Sequence, residues 1–404
     1  MTSTVITRIG ELMTVDDEER VLHDAAVVID ADRIAWIGAA SEAPAADERV
    51  DAAGRALLPG WVDSHTHLVF DGDRTAEFEA RMAGQSYAAG GIAVTRDATR
   101  TASDDRLAAL LTARVREARA QGTTWIETKT GYGLDLASEE RSARIATAGV
   151  DDATFLGAHL VPAGRDADDY VREVCGPMLE AVRPFVSWAD VFCERGAFSP
   201  EQSREVLLAA RTSGLGLRVH GNQLGHGGGI RLAVELGAAS VDHCNFVSDA
   251  DLDALAEGST VATVLPACDL STRAPLAPAR RLLDAGVEVA IASNCNPGTS
   301  YTSSMPFCVA TAVLQMGLSV AEAVRAATRG GAIALGRATG EGAVGSIAVG
   351  HRADLHLLDA PSATHLAYRP GMPLTAAVWK DGHRAPASDE RAVIGGGARP
   401  AHSR

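Results

Sequence analysis

The chain has 404 residues, 46% of them hydrophobic and 22% charged, which is enough to bury one large core and a smaller one. Its formal net charge of −15 sets aside nucleic acid and anionic membrane as partners, because neutralising phosphates needs an excess of Lys and Arg on one face. Small molecules or other proteins remain.

The opening MTSTVITRIGEL has no basic segment followed by an apolar run, and no later stretch approaches the ~18 uninterrupted apolar residues of a membrane span. The expectation is a soluble chain that works in the cytoplasm. Residues 5 to 57 read as short strands with turn punctuation: AAVVIDADRIAWIG at 25 to 38 alternates around a DADR turn, and VDAAGRALLPG follows at 50 to 60. Near the other end, GSIAVGHRADLHLLDA at 345 to 360 and AAVWKDGH at 376 to 383 have the same texture. The two ends, residues 1–57 and 345–404, are therefore expected to pair into one small β-sandwich beside a larger domain at 58–344.

Between them, short apolar β-branched runs alternate with amphipathic helical segments. The runs are WVDSHTH at 61 to 67, TTWIETKT at 123 to 130, TFLGAHLV at 154 to 161, ADVFCE at 189 to 194, LRVHGNQ at 217 to 223, SVDHCN at 240 to 245, TVATVLP at 260 to 266 and EVAIASN at 288 to 294. Helices are expected at 105 to 122 and at 199 to 214, the second opening on a Ser–Pro cap. Eight such units predict an α/β fold, a (β/α)₈ barrel. The tail from 395 to 404 reads as disordered. Cys175, Cys193, Cys244, Cys268, Cys295 and Cys308 are widely spaced and form no CxxC, which reads as buried free thiols.

In such a barrel, chemistry sits at the carboxyl ends of the strands. His65 and His67 end the first run, Lys129 the second, His159 the third, Glu194 the fourth, His220 the fifth, His243 the sixth and Asn294 the eighth. Two histidines at i and i+2 on a strand point the same way, so both rings can face one cation. Lys129 and Glu194 read equally as buried ion-pair partners, and His243 as a hydrogen-bond partner of Asp242. His226, His365 and His383 read as surface residues.

This arrangement resembles the amidohydrolase superfamily of metal-dependent hydrolases and, within it, the imidazolonepropionase family. The resemblance runs over nearly the whole chain, most specifically through LPGWVDSHTHLVFDGDRTAEFEARMAG at 58 to 84, TKTGYGL at 128 to 134, TFLGAHLVPAGR at 154 to 165, ADVFCERGAFSPEQS at 189 to 203, NPGTSYTSSMP at 296 to 306 and the segment from 335 to 371. It implies hydrolytic opening of the imidazolone ring of 4-imidazolone-5-propanoate to N-formimidoyl-L-glutamate, in histidine degradation. It also implies one divalent metal ion, zinc or iron, on His65, His67, His220 and the residue at 294, and it allows a homodimer. Substrate contacts would come from Arg74, Tyr132, His159 and Gln223, with Asn296, Gly298 and Thr299 around the ligand's carboxylate and Tyr87 on the pocket wall. Arg74 would grip the propionate bidentately, and the NPGT turn would present backbone N–H groups to the anion. His243 or the metal would steady the oxyanion.

Two positions depart from the family pattern. Gln223 stands where Glu is usual and Asn294 where Asp is usual; neither amide has useful basicity. The departure implies a loosely held ion and impaired turnover. A related amidohydrolase acting on another heterocycle, as a deaminase or cyclic amidase, and a non-catalytic ligand-binding relative are the alternatives.

Overall fold

The computed structural model describes residues 2 to 84 and 91 to 385, so Tyr87 and the tail from 395 onward lie outside the described residues. Eight parallel strands run in chain order round one sheet: Trp61–Asp63, Thr123–Lys129, Asp152–Ala158, Trp188–Cys193, Gly216–Gly221, Ser240–His243, Val261–Val264 and Val289–Ile291. These are barrel strands one to eight. Every expected run holds a strand, but several end early, and strand one stops four residues short of His67. Beyond the two short outer strands the ring is closed by chain without regular ladder. The Asn294 N–H donates to the His65 carbonyl at 3.0 Å, the His67 N–H to the Cys295 carbonyl at 2.9 Å, and the Ser293 N–H to the Asp63 carboxylate at 3.0 Å. The residues that end strands one and eight are thus held against each other, which brings His65, His67 and Asn294 to one place.

The helices form where the apolar spacing and caps put them. Asp104–Arg119 starts on Ser103, whose hydroxyl accepts from the Arg106 N–H. Pro200–Thr212 starts on a reciprocal Ser199–Gln202 capping box with Pro at its first position. Among the described residues no helix is long and apolar enough to cross a membrane.

Strands from both ends of the chain make two further sheets. One has four strands, ordered Arg33–Ala39, Ala25–Asp30, Ser3–Ile9 and Glu48–Asp51. The other has six, ordered His383–Arg384, Thr375–Lys380, Leu355–Leu358, Ala56–Pro59, Glu11–Met13 and Val21–Leu22. Ile6, Ile9, Val27 and Ile29 of the first share a core with Leu12, Leu57, Leu355 and Trp379 of the second, so the pair is a sandwich. Of the 345 to 360 stretch only Leu355–Leu358 is strand, since the turns around Gly345 and Gly350, both at positive φ, break the run before it. Lys380 ties the sandwich to the barrel, donating to the Thr124 carbonyl at 2.6 Å and to Asp151 at 2.7 Å.

Candidate active site

At the carboxyl end of the barrel an open cavity is lined by His67, Arg74, Ile92, Tyr132, His159, Leu160, Phe192, His220, Gln223, His243, Asn294, Asn296 and Thr299. Most of the residues singled out in the sequence meet there. His65 lies just beneath, fully buried, its Nε2 3.3 Å from His67 Nε2. The rings of His65 and His220 are 4.5 Å apart and those of His220 and His243 5.4 Å, so four imidazoles share one small volume. Nitrogens of His65, His220 and His243 lie within 4.8 Å of one another.

The tautomers are set from below. His65 Nδ1 stands 2.6 Å from the Asp242 carboxylate and His220 Nδ1 3.0 Å from that of Asp190. Each Nδ1–H is thereby given to a carboxylate, and each Nε2 keeps a bare lone pair pointing to the cluster. Burial holds His65 down to about 3, with the Lys129 charge adding to it, and holds His67 and His243 well below the ordinary imidazole value. The rings therefore stay neutral at neutral pH, the state a metal ligand needs. The Nδ1 atoms of His67 and His243 are buried without a hydrogen-bond partner among the described residues. Converging lone pairs, neutral rings and orphaned nitrogens fit a divalent cation held by imidazole.

Beneath the histidines lies a layer of buried charge of which the sequence reading named only Lys129 and Asp242. Lys129 Nζ sits 3.0 Å from Glu127, 3.0 Å from Asp190 and 3.7 Å from Asp242, and Arg218 reaches Asp242 at 3.2 Å, all fully buried. Burial opposes their ionisation, but the His220 Nδ1–H and the Lys129 charge hold Asp190 below the usual carboxylate range; the Arg218 charge and the His65 Nδ1–H do the same for Asp242. Strand alternation was the signal available: Glu127 precedes Lys129, and Arg218 precedes His220, by two residues on one strand face. Lys129 is thus an ion-pair partner as expected. Glu194 is not: its carboxylate accepts the backbone N–H groups of Gln223 and Leu224 and so shapes the loop after strand five. His243 makes no hydrogen bond to Asp242, whose Oδ2 is taken by His65 and Arg218.

Arg74 is buried rather than solvated, its Nε and Nη2 each 2.7 Å from Glu77. Its remaining nitrogen lies against Gly298, where a Cβ would stand 2.2 Å from Nη1. His159 gives Nδ1 to the Gly131 carbonyl at 2.9 Å and stacks on His67 with ring centres 5.7 Å apart. The NPGT turn departs from expectation. The N–H groups of Gly298 and Thr299 both donate to Asn296 Oδ1 at 2.8 Å, because the Asn side chain closes its own turn, so they are not offered to an anion. Gly298 itself does not line the cavity; it clears the slot that Arg74 occupies. Asn294 sits at φ 51°, a left-handed position that Asn tolerates, with Oδ1 buried and unpartnered. His226 and His383 are exposed as expected, whereas His365 is half-buried because its ring packs on Tyr368, 5.9 Å centre to centre.

The sequence pattern of the amidohydrolase family matches residues 192–385. An imidazolonepropionase of Arthrobacter sp. (strain FB24) is 70% identical over 398 residues, covering 95% of this chain and 100% of the relative. One from Streptomyces griseus subsp. griseus is 56% identical over 393 residues, with 95% and 100% covered. Among solved structures, an atrazine chlorohydrolase from Arthrobacter aurescens TC1 complexed with zinc superposes with a TM-score of 0.73 at 20% identity, covering 94% of each chain. An adenosine deaminase from Xanthomonas campestris with bound zinc gives 0.70 at 21% identity, covering 94% of this chain and 92% of its own; likeness at this level is one of fold.

Proposed function

The chain belongs to the imidazolonepropionase family of the amidohydrolases, and on that premise we propose that it hydrolyses 4-imidazolone-5-propanoate to N-formimidoyl-L-glutamate, a step of histidine degradation. Water adds to the ring carbonyl carbon, the bond from that carbon to the amide nitrogen breaks, and the nitrogen leaves with a proton. The observation that carries this reading is a cluster of neutral imidazoles facing a buried arginine across a cavity whose lining, among the described residues, contains no carboxylate. Such a wall suits a flat polar ring with an anionic tail and repels nothing in it. A deaminase or cyclic amidase whose heterocycle carries no anionic tail has no use for Arg74.

One divalent cation, zinc or iron, would be held by His65, His67 and His220, with Asn294 Oδ1 as a weak fourth donor. When bound it supplies Lewis acidity to the water and to the ring carbonyl. The chain's own residues do the rest. Arg74 takes the propionate, exchanging part of its pairing with Glu77 for the ligand. His159, whose Nδ1–H is already given to Gly131, offers Nε2 to a ring N–H, and Tyr132 packs beside it. With amides at 223 and 294, the basic group left on the wall is His243: it takes the water's proton and passes it to the departing nitrogen.

The rate of imidazolone propanoate loss, followed by absorbance for this chain and for Asn294→Asp across a zinc titration, tests the reading. Both forms are expected to turn over at saturating zinc, with the Asp form needing about tenfold less of it, since a carboxylate outdoes an amide by roughly a charged contact's extra worth. Turnover by the Asp form alone would move the base from His243 to position 294. Inactivity of both, in folded protein, would sink the substrate assignment. Gly298→Ala should raise KM about tenfold with little change in kcat, because the new methyl pushes the Arg74 guanidinium out of its slot. An unchanged KM would show that Arg74 does not hold the tail.

A further inference from the structure

The helix Thr75–Met82 carries an arginine, a glutamate and an arginine along one face. Arg74 is its N-cap residue, Glu77 lies in its first turn and Arg81 in its last, so the carboxylate stands between two guanidinium groups. Glu77 Oε2 is 2.7 Å from Arg74 Nε, while Oε1 is 2.7 Å from Arg74 Nη2 and 3.7 Å from Arg81 Nη1. One oxygen is therefore bonded to the first arginine and within ion-pair reach of the second.

Both arginines are fixed in place. Their side chains are 5% and 3% exposed, against 30% for Glu77. A Cβ on Gly298 would stand 2.2 Å from Arg74 Nη1 and one on Gly91 2.5 Å from its Nη2, so backbone packs against the guanidinium at both nitrogens. Arg81 Nη2 donates to the Gly298 carbonyl at 3.0 Å, which ties it to the turn after strand eight. Of the three groups, the carboxylate is the one with room to move.

Paired in this way, Glu77 cancels the charge of Arg74 and covers its Nε–Nη2 edge. A ligand carboxylate arriving on the same guanidinium meets a like charge across it. We propose that Glu77 is a specificity-determining residue and Arg81 its receiver: when a ligand's carboxylate takes Arg74, Oε1 passes to Arg81 Nη1 while Oε2 stays on Arg74 Nε. Arg74 then has its Nη2 and its charge for the ligand, and the Glu77 charge stays paired throughout. A tail without charge gives no such push, and Glu77 keeps its place against it, so the handover selects anionic tails. Neither Glu77 nor Arg81 lines the cavity; both act through Arg74. The proposal rests on the reading that Arg74 holds the ligand's carboxylate.

The test is the affinity of two probes, measured by calorimetry on the full chain with zinc present throughout. Imidazole-4-propanoate and 4-ethylimidazole share a ring and differ in the charged tail, and the ratio of their Kd values is the tail preference. Four forms are compared: the chain itself, Glu77→Gln, Arg81→Gln and the double variant. The amide introduced by Arg81→Gln can still donate to a carbonyl but has no charge with which to receive Glu77. Glu77→Gln is expected to raise the tail preference about tenfold, since the ligand then displaces a neutral amide instead of a charged partner. Arg81→Gln should lower it about tenfold where residue 77 is Glu and less than about twofold in the Glu77→Gln background. A packing defect would not raise the preference. A preference unchanged or lowered in Glu77→Gln would overturn the proposal, because Glu77 would then be a fixed strut for Arg74, and so would equal losses from Arg81→Gln in both backgrounds. Should Arg81→Gln melt too low to titrate, the Glu77→Gln result decides by itself. If the chain itself does not prefer the propanoate, the proposal falls together with the Arg74 reading; a preference that no variant moves overturns the proposal alone.

Discussion

Replacing His243 by glutamine is expected to lower kcat by about 10²- to 10⁴-fold while leaving zinc affinity within a few-fold, the signature of losing a proton-transfer group. In most hydrolytic metal sites a carboxylate would be the first suspect. Here the lining of the cavity contains Gln223 and Asn294 in the acid positions, and the carboxylates bonded to the histidines, Asp190 and Asp242, are sealed beneath them in ion pairs. Of the two imidazoles on that wall outside the family's ligand set, His159 is given to the substrate and His243 is left, its Nδ1 with no partner to lose. Its depressed basicity, set by burial and by the neighbouring rings of His220 and His65, keeps it unprotonated and able to accept. The measurement is kcat with metal content in parallel. Because nitrogens of His65, His220 and His243 also lie within 4.8 Å of one another, a variant that loses zinc along with activity would make His243 a ligand and leave the base unassigned. A variant with full zinc and full kcat would remove it from the chemistry.

The sequence disclosed the pocket's upper wall better than its foundations. His65 and His67 were legible because a strand face repeats every two residues, even though the strand itself ends at Asp63 and the pair is placed instead by bonds to Asn294 and Cys295. His159 was legible as the polar end of the third run, Arg74 and Tyr132 came from motif resemblance, and no local rule would have buried Arg74 against Glu77 and Gly298. The NPGT turn misled because an Asn two residues before a Gly can either leave the turn's N–H groups open or cap them with its own oxygen, and pattern alone does not choose. Cys268 read as a core thiol, and it is one; only the folding together of strands five and seven sets it 3.9 Å from the Gln223 amide. The buried charges were hidden for a different reason. Glu127, Lys129, Asp190, Arg218 and Asp242 come from strands two, four, five and six, and each alone looks like an ordinary strand polar residue. Barrel interiors are filled in layers drawn from alternate strands, so Lys129, Asp190 and Asp242 become neighbours only once the ring closes.

That layer supports the other large effect. Lys129→Met is expected to destabilise the protein by roughly 3–5 kcal/mol, measured as urea unfolding with chelator present so that metal linkage does not enter. Three buried carboxylates, Glu127, Asp190 and Asp242, face two cations, Lys129 and Arg218; removing the lysine leaves three facing one. Thr154, which donates to Glu127, cannot replace a charge. Burial, which already disfavours the ionised form of Asp190 and Asp242, then wins, and the pair relaxes by taking up protons or water. A protonated Asp190 or Asp242 accepts the imidazole Nδ1–H less well, so His65 and His220 lose the partner that fixes their tautomer, and zinc affinity should fall about tenfold or more beside the loss of stability. Lys129→Arg would not rescue either quantity, because the planar fork does not fit where one ammonium bridges carboxylates from three strands. A loss below about 1 kcal/mol would mean that the ion layer is no more than a tolerated burden on the barrel. The expected loss in both stability and metal affinity would make it the reason that four histidines can be held so close together with the Nε2 lone pairs of His65 and His220 turned into the cluster.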